Sequence, residues 1–276
     1  MANRAEKRRR ERQQQQRATH GRSSSTMNRI LIAVGVLAVG LVLWNVVFST
    51  AGEGAREPVQ VVYGSTQELV EMARGMEMGD PDAPVTIMDF SDYQCPACRS
   101  FALQSKPFLQ NQFIDEGLAN FVYYDFPLPH FPHSFLAARA ARCAGDQEAY
   151  WPYHDRLFAG QPEWSGQSDP FPTFVGYAAD LGLNRGDFRS CLGSDEYAEV
   201  VSANIELGQR LGVTGTPGIF LDTGEGRGER VEDWLPADFG PRIQEALERL
   251  GYGDELPDEE IPDDEPEVID PTGEGR

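Results

Sequence analysis

The hydrophobic pattern divides the chain into an apolar segment, a core of alternating strand and helix signals, and a polar tail. From Ile30 to Phe48 the sequence ILIAVGVLAVGLVLWNVVF runs for 19 residues without a charge, about the length that spans a hydrocarbon core of ~30 Å as a helix. VTIMDF (85–90) and ANFVYYDF (119–126) are short, β-rich apolar runs of the kind that form buried strands. Between Ser134 and about Arg210 the pattern is helical in pieces separated by Gly, Pro and Asn, among them SFLAARAARCAG, FPTFVGYAADLG and SDEYAEVVSANIELGQRLG. TGTPGIFLDTG then returns to strand, GERVED supplies a partner strand, and ADFGPRIQEALERLG closes as a helix.

Local signals refine this order. STQELVEMARG predicts a short helix opened by a capping box, the Ser65 hydroxyl accepting from the Glu68 N–H while the Glu68 carboxylate reaches back. GDPDAP (79–84) is turn chemistry. From Pro96 to Phe113 the residues Phe101, Phe108, Leu109 and Phe113 recur at helical spacing, with a kink or interruption predicted at Pro107.

Charge places the ends. The first 29 residues hold nine Lys or Arg against two acids, a bias that keeps that end cytoplasmic and leaves everything after Ser49 outside the membrane. A cleaved signal peptide, with small residues at Ser49–Ala51, is the alternative. The apolar run exceeds the usual ~7–15 residues of such a leader, which favours a retained anchor. The leader carries +7 and the whole chain −20, so the rest carries −27, which argues against nucleic acid or any other polyanion as partner. From Asp254 onward eleven acids, four prolines and little apolar surface predict a disordered tail.

The chemistry centres on DFSDYQCPACRSF, Asp89 to Phe101, which places Cys95 and Cys98 between a strand and a helix. At a helix start, free N–H groups and the positive end of the dipole stabilise a Cys95 thiolate, and Pro96 suits the first helical position because its missing donor would be unpaired anyway. Cys98, one turn on and pointing inward, can attack a mixed disulfide at Cys95. An inert staple is the plainer alternative, but so small a loop would stabilise little. A zinc site normally wants a second close pair, whereas Cys143 and Cys191 are 48 apart, so no metal or cofactor is expected. Asp89, six residues before Cys95 in an apolar strand, reads either as a buried acid managing the Cys98 proton or as an exposed strand-end carboxylate. Pro217, directly before a strand, is where a cis bond can present the preceding backbone to an extended substrate; an ordinary trans turn is the alternative.

In combination, GDPDAPVTIMDFSDYQCPACRSF, GVTGTPGIFL and AARCAG…YHDRLF with FRSCLG resemble the DsbA-like branch of the thioredoxin superfamily over roughly residues 76–251. The resemblance implies an α/β thioredoxin fold with an inserted helical domain, here preceded by a single N-terminal transmembrane helix. It implies Cys95 as surface nucleophile, Cys98 as resolving cysteine, Asp89 at the buried-acid position, Pro217 as the cis-proline, and Thr216 lending its backbone to substrate pairing. It also implies a second, non-catalytic disulfide between Cys143 and Cys191. The organisation expected is a leader at 1–29, anchor at 30–48, linker and short helix at 49–75, thioredoxin domain at 76–253 with its insertion near 134–210, and a tail at 254–276.

The activity so implied is oxidation of reduced secreted or membrane client proteins at the outer face of the cell membrane. Reoxidation would come from a quinone-linked membrane partner of the DsbB or vitamin-K-epoxide-reductase-like type. Ala97 stands where the strongest oxidases of this branch have a histidine, which weakens the case for extreme oxidising power. A reductase or isomerase on the same fold, or a non-catalytic chaperone or metallochaperone, are the alternatives. His130 and His133 are read as lying at a helix start, His154 as a packed residue, and Phe90, Tyr93 and Phe101 as core rather than groove.

Overall fold

The apolar runs at 85–90 and 119–126 become the centre of a five-stranded sheet. A computed structural model describes residues 54–224 and 228–256, together with Lys7, 9–12, Arg29, 31–32, 34–36 and Val39. The strands are β1 (Met76–Met78), β2 (Val85–Ser91), β3 (Ala119–Asp125), β4 (Gly218–Asp222) and β5 (Glu229–Val231), in the order β1-β3-β2-β4-β5. β2 and β3 are parallel, and every other pairing is antiparallel. Because side chains alternate along a strand, Asp89 shares the face of Val85 and Ile87, while Met88 and Phe90 point to the other. Val85 and Ile87 belong to the larger core cluster with Cys98 and Phe101; Phe90 anchors a smaller one with Phe126, Leu207 and Phe220. β1 went unanticipated because three residues, MEM, show no period; its exposed edge is partly closed by Trp151, whose Nε1 donates to the Glu77 carbonyl at 2.9 Å.

Helix α1 (Thr66–Met72) begins at Ser65, whose hydroxyl accepts from Glu68 N–H at 3.1 Å. The Glu68 carboxylate reaches one residue further than expected, accepting from Gly64 N–H at 2.6 Å. α2 carries the cysteines through four successive turns, Pro96–Ser100, Phe101–Ser105, Lys106–Leu109 and Gln110–Ile114, alternately α and π. Pro107 does not break it. The Lys106 N–H donates to the Phe101 carbonyl, five residues back, so the ladder widens just ahead of the proline and continues.

The block between β3 and β4 is helical as predicted: α3 (Ser134–Gly145), α4 (Tyr150–Ala159), α5 (Gln161–Trp164), α6 (Phe171–Asp180), α7 (Arg185–Leu192) and α8 (Ala198–Arg210). α9 (Pro236–Leu250) follows β5 and ends at Gly251, in the left-handed conformation that favours glycine. A disulfide joins Cys143 on α3 to Cys191 on α7. α3 and α8 are locked to the end of β3 by a buried cluster: Arg142 Nε lies 2.5 Å from Asp125 Oδ2, and Asn204 Oδ1 accepts from both Arg142 and the Asp125 N–H at 3.0 Å. α8 approaches so closely that a Cβ on Gly208 would sit 2.6 Å from the Phe126 ring.

The stretch read as a linker lies along the insertion. Ala55 N–H donates to Asp195, Val59 N–H to Ser202 Oγ at 2.9 Å, and Tyr63 hydroxyl to Glu206. These contacts use backbone donors and scattered polar side chains, which leave no period to read. Gly253–Glu255 form a further 3₁₀ turn, with Tyr252 and Leu256 against the core.

Contacts separate residues 1–52 from 53–276 as two units. In the first, the described positions are helical, and Leu31, Ile32, Val34, Val36 and Val39 are exposed. Most of the leader and of the 30–48 segment, and the tail from 257, lie outside the described residues. Among the described residues no helix is long and apolar enough to cross a membrane.

The disulfide's role is measurable. Replacing Cys143 and Cys191 together by Ala is expected to lower stability by about 4 kcal/mol, the chain-entropy value for such a loop, in denaturant unfolding. The reactivity of Cys95 and Cys98 toward thiol reagents per folded molecule should stay unchanged; a loss of that reactivity at full stability would instead mark a relay between the two cysteine pairs.

Candidate active site

Cys95 stands where β2 gives way to α2. The strand ends at Ser91, the Cys95 N–H closes a turn onto the Asp92 carbonyl at 3.0 Å, and Cys95 becomes the N-cap residue with Pro96 inside the first turn. The insertion braces this loop. Gln161 Nε2 donates to the carbonyls of Tyr93 and Cys95 at 2.7 and 2.9 Å, and Gln94 Nε2 donates to the Ser165 carbonyl at 2.9 Å. Gln94 Oε1 accepts the His133 N–H at 2.9 Å.

The two thiols sit in opposite environments. Cys98 is fully buried and Cys95 is 7% exposed, so the expected surface nucleophile is largely covered, although Pro96 and Ala97 beside it are open. The Cys95 thiol is held down to about 5, first by the hydrogen bond from Cys98, then by Thr216 and by the N–H groups of Cys98 and Ala97, against the cost of burial. Cys98 is pushed up, chiefly by burial, then by its hydrogen bond with Cys95 and by the Cys95 charge. One sulfur is therefore a thiolate at neutral pH and the other a thiol.

The segment before β4 completes the site. The Thr216–Pro217 bond is cis, and Cys95 Sγ lies 3.5 Å from the Thr216 carbonyl. As a thiol Cys95 donates there; the buried Thr216 hydroxyl has no hydrogen-bond partner among the described residues, and Thr216 favours the thiolate.

Asp89 is buried, and burial raises its carboxyl to about 7, opposed by the hydrogen bond from Ser91 and assisted by the Cys95 charge. Its charge in turn raises Cys98. The alternative of an exposed strand-end carboxylate is thereby removed. Asp92 is a second buried acid at the site, also raised to about 7 by burial. It was not singled out from the sequence, since an acid just past a strand reads as a solvated turn. Gln94 and Gln161 were missed as well, because a polar residue's bond to a distant loop leaves no local pattern.

Other expectations sort cleanly. Phe90, Tyr93 and Phe101 are core residues. His154 is packed edge-on against Tyr123 and Phe158, and burial lowers it to about 4, so it is neutral. His133 occupies the N-cap position of α3, but its ring does not cap; Nε2 lies 2.7 Å from the Gln167 carbonyl. Asp146 and Glu196 approach Cys191, whose sulfur is already committed to Cys143.

The pair of environments predicts selective chemistry. Brief alkylation of the reduced protein at about pH 6, a unit above the Cys95 midpoint, should label Cys95 and spare Cys98. Labelling should fade as the pH falls through about 5, and peptide mapping that found Cys98 modified first would reverse the two roles.

A family model described as thioredoxin matches residues 71–234. Disulfide bond formation protein D of Bacillus subtilis is 30% identical over 52% of this chain and 66% of its own. An Na(+)/H(+) antiporter NhaA 1 of Salinispora arenicola is 28% identical over 88% of this chain, but over 39% of its own length. The chain thus spans about two fifths of one curated relative and two thirds of the other. Among solved structures, oxidised BdbD from Bacillus subtilis superposes with a TM-score of 0.56 over 72% of this chain and 98% of that one, at 22% identity, a likeness of fold. With the matched segment covering more than half of its residues and the cysteine pair at the start of α2, the chain belongs to the thioredoxin family.

Proposed function

We propose that this protein is a thiol:disulfide oxidoreductase that donates the Cys95–Cys98 disulfide to reduced client proteins on the outer side of the cell membrane. The carrying observation is the asymmetry of the pair: a thiolate held at a helix N-terminus beside the Thr216 backbone, and a buried, protonated partner one turn behind it. A client thiolate attacks Cys95 Sγ and the Cys95–Cys98 bond breaks, Cys98 leaving with the electron pair and gaining a proton. A second client thiolate then attacks the client sulfur of the mixed disulfide, and Cys95 leaves as its stabilised thiolate.

Direction follows from which form the fold favours. A Cys95 value lowered from 9.0 to about 5 stabilises the folded dithiol form. That stability is fully present above the unfolded value and lost as the pH falls through about 5. A stabilised dithiol makes the disulfide an oxidant, and Ala97 adds no cation of its own, which supports a potential of intermediate strength.

Location and partners rest on further observations. The basic leader and uncharged 30–48 run support a retained anchor with the catalytic unit outside, as do the exposed apolar side chains at Leu31, Ile32, Val34, Val36 and Val39. The relative named for disulfide bond formation supports the oxidising direction. Turnover then requires a membrane reoxidase, and a quinone-linked protein of the DsbB or vitamin-K-epoxide-reductase-like type is the proposed one. The antiporter similarity covers too little of that protein to carry transport over to this chain.

Trapping tests the mechanism. Cys98→Ala should accumulate client mixed disulfides through Cys95, visible on non-reducing gels, whereas Cys95→Ala should accumulate none; equal trapping by both would end this reading. Ala97→His, which places a cation beside the thiolate, should raise the reduction potential, and a fall would contradict the thiolate account.

A further inference from the structure

The mechanism above leaves Asp92 without a role. Its carboxylate is 1% exposed and collects donors from three directions: the Gln94 N–H and the Leu128 N–H, both at 2.7 Å, and the Ser134 hydroxyl. Its backbone meanwhile serves both cysteines. The carbonyl accepts the Cys95 N–H at 3.0 Å, and the N–H donates to Cys98 Sγ at 3.5 Å. All three carboxylate donors are neutral, so the ionised form is the one they satisfy, and it brings a negative charge to a sulfur pair that itself becomes anionic on reduction.

We infer that Asp92 is a positioning residue with an electrostatic output: it ties the redox loop to the entry of the helical insertion, and its charge disfavours the Cys95 thiolate, limiting how strongly the pair oxidises. The inference rests on the oxidoreductase reading and adds a determinant of its strength. The coupling is visible from the other side, since burial and then the Cys95 charge raise the Asp92 carboxyl, and an interaction between two sites is reciprocal. The groups facing Asp92 are Cys95 and Cys98 at the start of α2, the N–H groups of Gln94 in its own loop and of Leu128 in the loop after β3, and the Ser134 hydroxyl at the start of α3. Asp89 is the other buried acid of the site, so the two carboxylates bear on the same sulfur charge.

Glutathione equilibration exposes the effect. Two glutathione thiols give up two electrons and two protons to become one disulfide; the protein disulfide opens, Cys98 keeps one proton, and the other goes to solvent because Cys95 ends as a thiolate. Removing the Asp92 charge should favour that product.

The experiment compares the full-length chain with Asp92→Asn and Asp92→Glu, reading the reduced fraction at a fixed glutathione ratio and the ultraviolet thiolate absorbance against pH. Asp92→Asn should increase the reduced-to-oxidised ratio by roughly three- to tenfold and lower the Cys95 midpoint correspondingly. Asp92→Glu, which keeps the charge, should stay near wild type in both readouts even if it is less stable. A folded Asp92→Asn protein with both readouts unchanged, or moved the opposite way, overturns the inference while leaving the oxidoreductase reading intact. A wild-type protein that fails to exchange with glutathione at all overturns that reading instead. Should Asp92→Asn not fold, carbon-13 NMR titration of Asp92 in the wild-type chain decides: a higher midpoint in the reduced than in the oxidised protein supports the coupling, and equal midpoints refute it.

Discussion

The site depends on a sulfur placed at the open end of a helix. Cys95 can be an anion inside a largely buried loop because the N–H groups of Ala97 and Cys98 have no helical partner and point at it, and because the Cys98 thiol donates to it. Burial works in the other direction, as it does at Cys98, which lacks that helix-end position and stays protonated. The contrast between two chemically identical side chains comes from position alone.

Holding that sulfur in place requires more than the sheet and its redox helix. The loop between Ser91 and Cys95 is pinned by Gln161 from one side and through Gln94 and Asp92 from others, all on elements of the insertion or its entry. Those elements are fixed in turn by the Asp125–Arg142–Asn204 cluster and by the Cys143–Cys191 bond. The insertion is therefore a brace for the chemistry as well as a cover. The region that holds the thiolate also holds two buried carboxylates, Asp89 and Asp92, so the charge appearing on reduction is balanced against charges already present.

The features legible in the sequence were those with a local signature. β2, β3 and the helical block show hydrophobic period, the Cys-Pro-Ala-Cys stretch announces a helix start, and Pro217 before a strand marks the segment that lies against Cys95. What escaped depends on contacts between distant residues. β1 is three residues long and exists as a strand because β3 pairs with it. The 54–63 stretch looks like linker until Asp195, Ser202 and Glu206 bind it. Asp92 looks like an ordinary turn acid until the chain returns with Leu128 and Ser134 to enclose it. Pro107 was expected to interrupt α2, and the π turn ahead of it shows how a helix can widen instead.

The equilibrium constant of Cys95–Cys98 with glutathione decides whether the fold makes this pair an oxidant of intermediate strength, as proposed. An oxidant of that strength has a potential well above the about −270 mV of thioredoxin and below the about −120 mV of the strongest known oxidant of this kind. A value at or below that of thioredoxin would contradict the proposal and make the protein a reductase.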